Sequence, residues 1–211
     1  MVEYEQYSSA VFVPQPHHWH AASIMGEHEA AIRLTVAYHH VSGSLPDAWS
    51  GMTAIRTIAI YLSALSGTLP SSWSTMTQMG NFQLYRNALT GTLPSSWSSM
   101  TSLQLLYLVE NSFSGTLPAS WSSMGLVQFR LDTNRLSGTL PLAWRSLRGL
   151  IMMNLYLNTL TGTLPPEWSN LVNLRELYLN SNSLTGSLPS SWSSMGAMQI
   201  LYLQYNSLTG S

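Results

Sequence analysis

The amino-acid sequence predicts a right-handed α/β-type repeat solenoid. One parallel sheet of about eight strands lines its concave face, and mostly irregular or 3-10 segments form its convex side. Three observations carry this. A glycine before T-L-P or S-L-P returns at Gly43, Gly67, Gly91, Gly115, Gly138, Gly162, Gly186 and Gly210, every 24 residues and once after 23. Seven of the eight tryptophans keep the same beat, from Trp49 to Trp192. A pair of apolar residues spaced by one occurs once per period. Units of this length cannot bury an apolar face alone, so they stack on their neighbours and share a continuous core.

The unit from Pro94 to Pro118 shows how each element arises. Its apolar residues are Trp97, Met100, Leu103, Leu106, Leu108, Phe113 and Leu117. Leu106 and Leu108 alternate with period two, so both point inward from a short strand. The equivalent strands are 34–36, 58–60, 82–84, 106–108, 129–131, 153–155, 177–179 and 201–203. Stacked at ~4.8 Å per strand they make an array roughly 38 Å long. Each coil returns to the same side, which favours the right-handed crossover. The glycine permits a tight turn, and the proline after it fixes an extended path without an N–H.

Trp97 and Met100 fill inward slots on the outer side of the coil. Leu147 and Leu171 replace methionine in that slot without changing the pattern. The recurring phrase G-T-L-P-S-S-W-S-S-M therefore reads as scaffold, with the indoles stacked in a ribbon and each indole N–H seeking an acceptor. The fourth unit lacks one residue between Met124 and Leu126. A local tightening is expected there, with the sheet register kept.

The pattern P-x-x-W-x-x-M-x-x-L-x-x-L-x-L-x-x-N-x-[LF]-[ST]-G-[TS]-L-P resembles the leucine-rich repeat over about residues 31–211. The segments Ser114–Met124 and Thr185–Met195 resemble, more particularly, surface repeats of kinetoplastid protozoa, the promastigote surface antigen and proteophosphoglycan families. The L-x-G-x-[IL]-P segment is shared with plant-type repeats of receptor kinase ectodomains. These resemblances imply a surface-attached or secreted protein that acts by binding. They also imply an asparagine ladder bonded to the turns of neighbouring coils, through Asn87, Asn111, Asn134, Asn158, Asn182 and Asn206. His39 and Ser63 occupy the same slot in the first two coils and are expected to break it.

Function is expected where the framework does not constrain the side chain. The outward strand positions form three columns. The first runs Arg33, Thr57, Asn81, Leu105, Gln128, Met152, Glu176, Ile200. The second runs Thr35, Ala59, Gln83, Tyr107, Arg130, Asn154, Tyr178, Tyr202. The third runs Ala37, Tyr61, Tyr85, Val109, Asp132, Tyr156, Asn180, Gln204. Rigid aromatics and arginine favour recognition at little entropy loss. The candidate ligand-binding residues are Tyr85, Tyr107, Arg130, Asp132, Tyr156, Tyr178 and Tyr202. The expected partner is a protein or glycan. Tyrosine is also a good strand residue that stacks across strands, so a coat or spacer element with no defined ligand is the rival reading.

Composition narrows the remaining classes. The 211 residues are 8% charged and carry a net charge of −1, against roughly 25% charged in an ordinary soluble domain. All eight positive charges are arginines. Nucleic-acid binding is therefore not expected. No stretch reaches the ~18 apolar residues of a membrane span, so no membrane insertion by this chain is expected. There is no cysteine, hence no disulfide framework and no thiolate metal site. No catalytic motif, cofactor fingerprint or N-x-S/T acceptor occurs, and no enzyme activity or cofactor is expected.

The residues 1–30 read as an irregular cap on the solenoid of residues 31–211. All six histidines lie between 17 and 40: His17, His18, His20, His28, His39 and His40. With Glu27 or Glu29 they could form a metal site, although His28-Glu29-Ala30-Ala31-Ile32 lacks the second histidine of H-E-x-x-H. The serines of S-S-W-S-S are expected as solvated surface or as acceptors for sugar or phosphate. The chain stops mid-unit with Leu201, Leu203 and Leu208 turned toward a missing coil. This predicts either a longer array or end-to-end self-association.

Overall fold

The computed structural model describes residues 33–37 and 41–210. The proposed cap, the histidine cluster and His39 lie outside the described residues. The rest is a stack of coils, each contributing a short strand, a turn, a second extended segment and a five-residue 3-10 helix.

The main sheet has eight parallel strands in chain order: Arg33–Ala37, Thr57–Tyr61, Asn81–Gln83, Leu105–Tyr107, Gln128–Arg130, Met152–Asn154, Glu176–Tyr178 and Ile200–Tyr202. The inward residues are paired in register, Ile58 with Phe82, Phe82 with Leu106, Leu106 with Phe129 and Phe129 with Met153. Most strands start one residue before the predicted boundary and stop before the second inward residue. Leu84 and Leu108 lie just past the strand ends, yet their N–H groups still bond across to Tyr107 and Arg130 carbonyls at 2.8 and 2.9 Å.

A second layer of pairing was not anticipated. The segments preceding L-P form a five-stranded parallel sheet from Ser114–Thr116 to Ser207–Leu208. A two-stranded pair, Ser42–Ser44 with Ala64–Ser66, precedes it. The S-G-T and T-G-T sequences carry no inward alternation beyond one leucine, so their period-two signal is too short to read.

The seven 3-10 helices each follow a proline with φ between −65° and −74°. Proline leaves no N–H to satisfy at the helix start. Its carbonyl has two tasks. Pro94 O accepts the Trp97 backbone N–H of its own coil at 3.2 Å and the Trp121 indole Nε1–H of the next at 2.9 Å. The same indole bond recurs from Trp73, Trp97, Trp144, Trp168 and Trp192 to the proline one coil before, at 2.9–3.1 Å. The P-x-x-W phrase thus satisfies its own buried polar atoms from coil to coil.

All seven in-phase tryptophans are buried. They do not form one unbroken ribbon. Trp49 stacks on Trp73, Trp97 on Trp121, and Trp144, Trp168 and Trp192 on one another. Phe82 stands edge-on between Trp73 and Trp97, and Phe129 between Trp121 and Trp144. Phenylalanine in the first inward strand slot is long enough to reach across the core to the indoles, and edge-to-face contact is a favoured geometry there.

The asparagine ladder is present. Asn111 Nδ2 donates to Leu84 O of the previous coil at 2.8 Å and to Leu108 O of its own at 3.2 Å. Its Oδ1 accepts the N–H of Leu89 at 3.1 Å. Asn87, Asn134, Asn158, Asn182 and Asn206 repeat the arrangement. Ser63 instead turns its hydroxyl to Tyr61 O within its own coil. The short coil tightens at Met124, whose ψ is 154°, where the equivalent residues lie between 56° and 67°.

Candidate binding face

Each strand of the main sheet turns one set of side chains into the core and the other set out. Tyr107, Arg130 and Tyr178 are half-buried on the outward side, and Tyr202 is exposed. The third column departs from the expectation of a free surface: Val109, Asp132 and Asn180 retain 7%, 5% and 9% of their exposure. The strand has already ended there, and the next residue bends the chain away through positive φ, as at Arg86, Glu110, Thr133, Leu157 and Ser181. Val109, Asp132 and Asn180 therefore lie in the fold of the bend, while Tyr61, Tyr85 and Tyr156 are half-buried and Gln204 is exposed.

Three of the candidate residues meet in one cluster. The Arg130 guanidinium donates to both carboxylate oxygens of Asp132, each at 3.2 Å. It also lies 5.8 Å from the centre of the Tyr107 ring, within cation–π range. The Tyr107 hydroxyl donates to Gln128 Oε1. Burial pushes the Asp132 carboxyl above its ordinary value, opposed by the bond and charge of Arg130. Burial likewise raises Tyr107, with Arg130 pulling the other way.

A second cluster forms two coils further on. Tyr178 meets Tyr202 edge to face, ring centres 5.3 Å apart, and its hydroxyl donates to Glu176 Oε2 at 3.0 Å. Burial raises the Tyr178 phenol, and the bond to Glu176 adds to it. Tyr156 lies in the coil between the clusters, its N–H bonded to Asn154 Oδ1. Tyr85 stands apart from both, stacked on Tyr61 with centres 4.5 Å apart. Arg86 pairs with Glu110 at 3.0 Å beside it. Gln128, Glu176 and Asn180 belong to the same face, and their only sequence signal is their place in the outward columns.

Many hydroxyls of the exposed serine ridge also bond between coils. Ser99 Oγ donates to Ser74 O at 2.6 Å, Ser96 to Ser71 O at 3.1 Å, and Ser120 and Ser123 to Ser95 O and Ser98 O. These hydroxyls lace successive 3-10 helices together. Among the described residues no group of three or more histidine, aspartate or glutamate side chains is placed to hold a metal ion. No helix among them is long and apolar enough to cross a membrane.

A family model described as Leucine Rich Repeat matches residues 102–124 and 173–195. The chain is a leucine-rich repeat protein. Its leucine-rich repeat fold is shared with solved receptor structures. The plant peptide hormone receptor RGFR1 in complex with RGF2 is 32% identical, with a TM-score of 0.83 over 84% of this chain and 29% of that one. The PEPR1–AtPEP1 complex is 30% identical, with a TM-score of 0.82 over 85% of this chain and 26% of that one. The Arabidopsis receptor kinase HAESA, with the peptide hormone IDA and the co-receptor SERK1, is 27% identical. Its TM-score is 0.83 over 86% of this chain and 30% of that one. This leucine-rich repeat chain thus spans less than a third of the length of each of these structures. No curated protein gives a significant match.

Proposed function

We propose that this chain is a non-enzymatic binding module whose concave face receives a protein or peptide ligand. The observation that carries the reading is the division within each strand. Inward residues such as Phe82, Leu106, Phe129 and Met153 are fully buried framework. The outward ones present Tyr107, Arg130, Tyr178 and Tyr202, held in place by side-chain bonds and ring contacts. Preorganised aromatic and arginine side chains lose little entropy on binding and are the residue types that dominate interface energetics. The similarity to receptors solved with peptide hormones supports a peptide in particular. Placement at a cell surface or in the extracellular space fits the same receptors. The resemblance of Ser114–Met124 to kinetoplastid surface repeats fits that placement too.

Panning a displayed random dodecapeptide library against the chain tests the reading. Peptides should be selected that lose binding at least tenfold to Tyr107→Ala and Tyr156→Ala variants of unchanged melting temperature. A coat element would select none.

A further inference from the structure

Four charges near the middle of the concave face cancel in pairs. Arg86 pairs with Glu110, and Arg130 with Asp132. Glu176 is different: among the described residues no cation lies within ion-pair distance of it, and its bond is to the neutral hydroxyl of Tyr178 at 3.0 Å. A carboxylate offers about four acceptor sites, so Glu176 keeps most of its capacity for a further donor. Tyr178 and Tyr202 stand perpendicular beside it. This leaves π-faces, whose negative quadrupole favours a cation.

An independent observation lies two residues beyond Tyr178 in the same outward alternation. Asn180 is nine-tenths buried, and its Oδ1 has no hydrogen-bond partner. Buried acceptors of this kind are rare and unfavourable, and one just beneath the concave face is satisfied when the amide turns toward a donor from outside. A carboxylate, two phenol rings and an unpaired amide oxygen make this the electron-rich end of the face.

We propose that the subsite formed by Glu176, Tyr178, Asn180 and Tyr202 receives a lysine or arginine side chain of the peptide ligand. This rests on the reading of the concave face as a peptide-binding surface. The side-chain cation meets the Glu176 carboxylate and the tyrosine faces. The Asn180 amide turns its oxygen toward a donor N–H of the same peptide. An acidic or phosphorylated segment is excluded from this end by the unpaired carboxylate.

Dodecapeptides selected on the intact chain provide the probe. They should share a lysine or arginine at one position. Replacing it by norleucine or citrulline should weaken binding about tenfold. Glu176→Gln should weaken the parent peptide by a similar factor, leave the substituted peptide unchanged, and flatten the salt dependence of affinity. Glutamine keeps an oxygen for the Tyr178 hydroxyl, so the melting temperature should hold. Asn180→Leu should raise the melting temperature of the free chain while lowering its affinity for the peptide.

Peptides with no shared cation, or equal binding to Glu176→Gln, overturn the subsite. Continued sensitivity of those peptides to Tyr107→Ala would leave the broader reading standing. A library with no binders, or with binders indifferent to both Tyr107→Ala and Tyr156→Ala, removes the broader reading and the subsite together.

Discussion

A Cβ atom on Gly91 would stand 2.7 Å from Cγ2 of Thr68, one coil earlier. Gly91 also has a φ of 80°. The pairs Gly115–Thr92, Gly138–Thr116, Gly162–Thr139 and Gly186–Thr163 repeat this approach at 2.8–2.9 Å. In G-T-L-P the glycine of one coil is the seat for the threonine methyl of the coil before. The two letters recur together because each is the other's packing partner.

Gly91→Ala should therefore destabilise the chain by about 2–4 kcal/mol, combining overpacking with a left-handed backbone. Thr68→Ser in the same chain removes the clashing methyl and should recover the steric part but not the backbone part. Urea unfolding of the four chains of this double-mutant cycle measures the split.

The ladder gives a loss and a gain. Asn158→Ala strands the Leu136 N–H and removes one of the two amides that donate to Leu131 O, leaving Asn134 Nδ2 as the other, and should cost about 1–3 kcal/mol. Ser63→Asn supplies a rung where the hydroxyl serves its own coil, and should stabilise by about 1 kcal/mol. Thermal unfolding monitored by tryptophan fluorescence reads both.

Asp132 sets a pH dependence of defined sign. Burial raises its folded value above the ordinary carboxyl value, so the folded chain holds the proton more tightly than the unfolded one. Stability contributed at this site is greatest below the unfolded value and is lost as pH rises through the folded value. Asp132→Asn removes the titration. The stability of this variant relative to the parent should increase from acid toward neutral pH, then level off. Denaturant midpoints of both chains across that range give the difference curve.

The short coil makes a conditional prediction. A Cβ on Gly125 would lie 2.6 Å from the Thr101 carbonyl oxygen, while at Gly149, in a full-length coil, the nearest such atom is 3.8 Å away. Gly125→Ala should be destabilising in the native chain by about 1–3 kcal/mol. With one threonine inserted after Met124, restoring the common length, the same substitution should be nearly neutral. Melting temperatures of the four chains decide it.

The strands, the buried tryptophans and the asparagine ladder were all legible in the sequence. Each depends on a side chain that must repeat once per coil to meet its copy in the next. The broken indole stack was less legible, because Phe82 and Phe129 look like ordinary substitutions for leucine. Only the depth of the core shows that they reach the tryptophans. The second sheet was missed because S-G-T pairs through backbone atoms, which leave no pattern in the side chains. The outward columns were legible as positions. Which of their residues pair off, Arg130 with Asp132 or Tyr178 with Glu176, depends on neighbours two or more residues away on the folded surface.

By itself the sequence determined the architecture, since a 24-residue period with fixed inward letters leaves one way to stack the coils and bury them. Tertiary structure alone decided the character of the concave face. Outward side chains meet along one coil, as Arg130 with Asp132, and across neighbouring coils, as Tyr178 with Tyr202, and nothing in the repeat constrains which charge is neutralised and which, like Glu176, stays open.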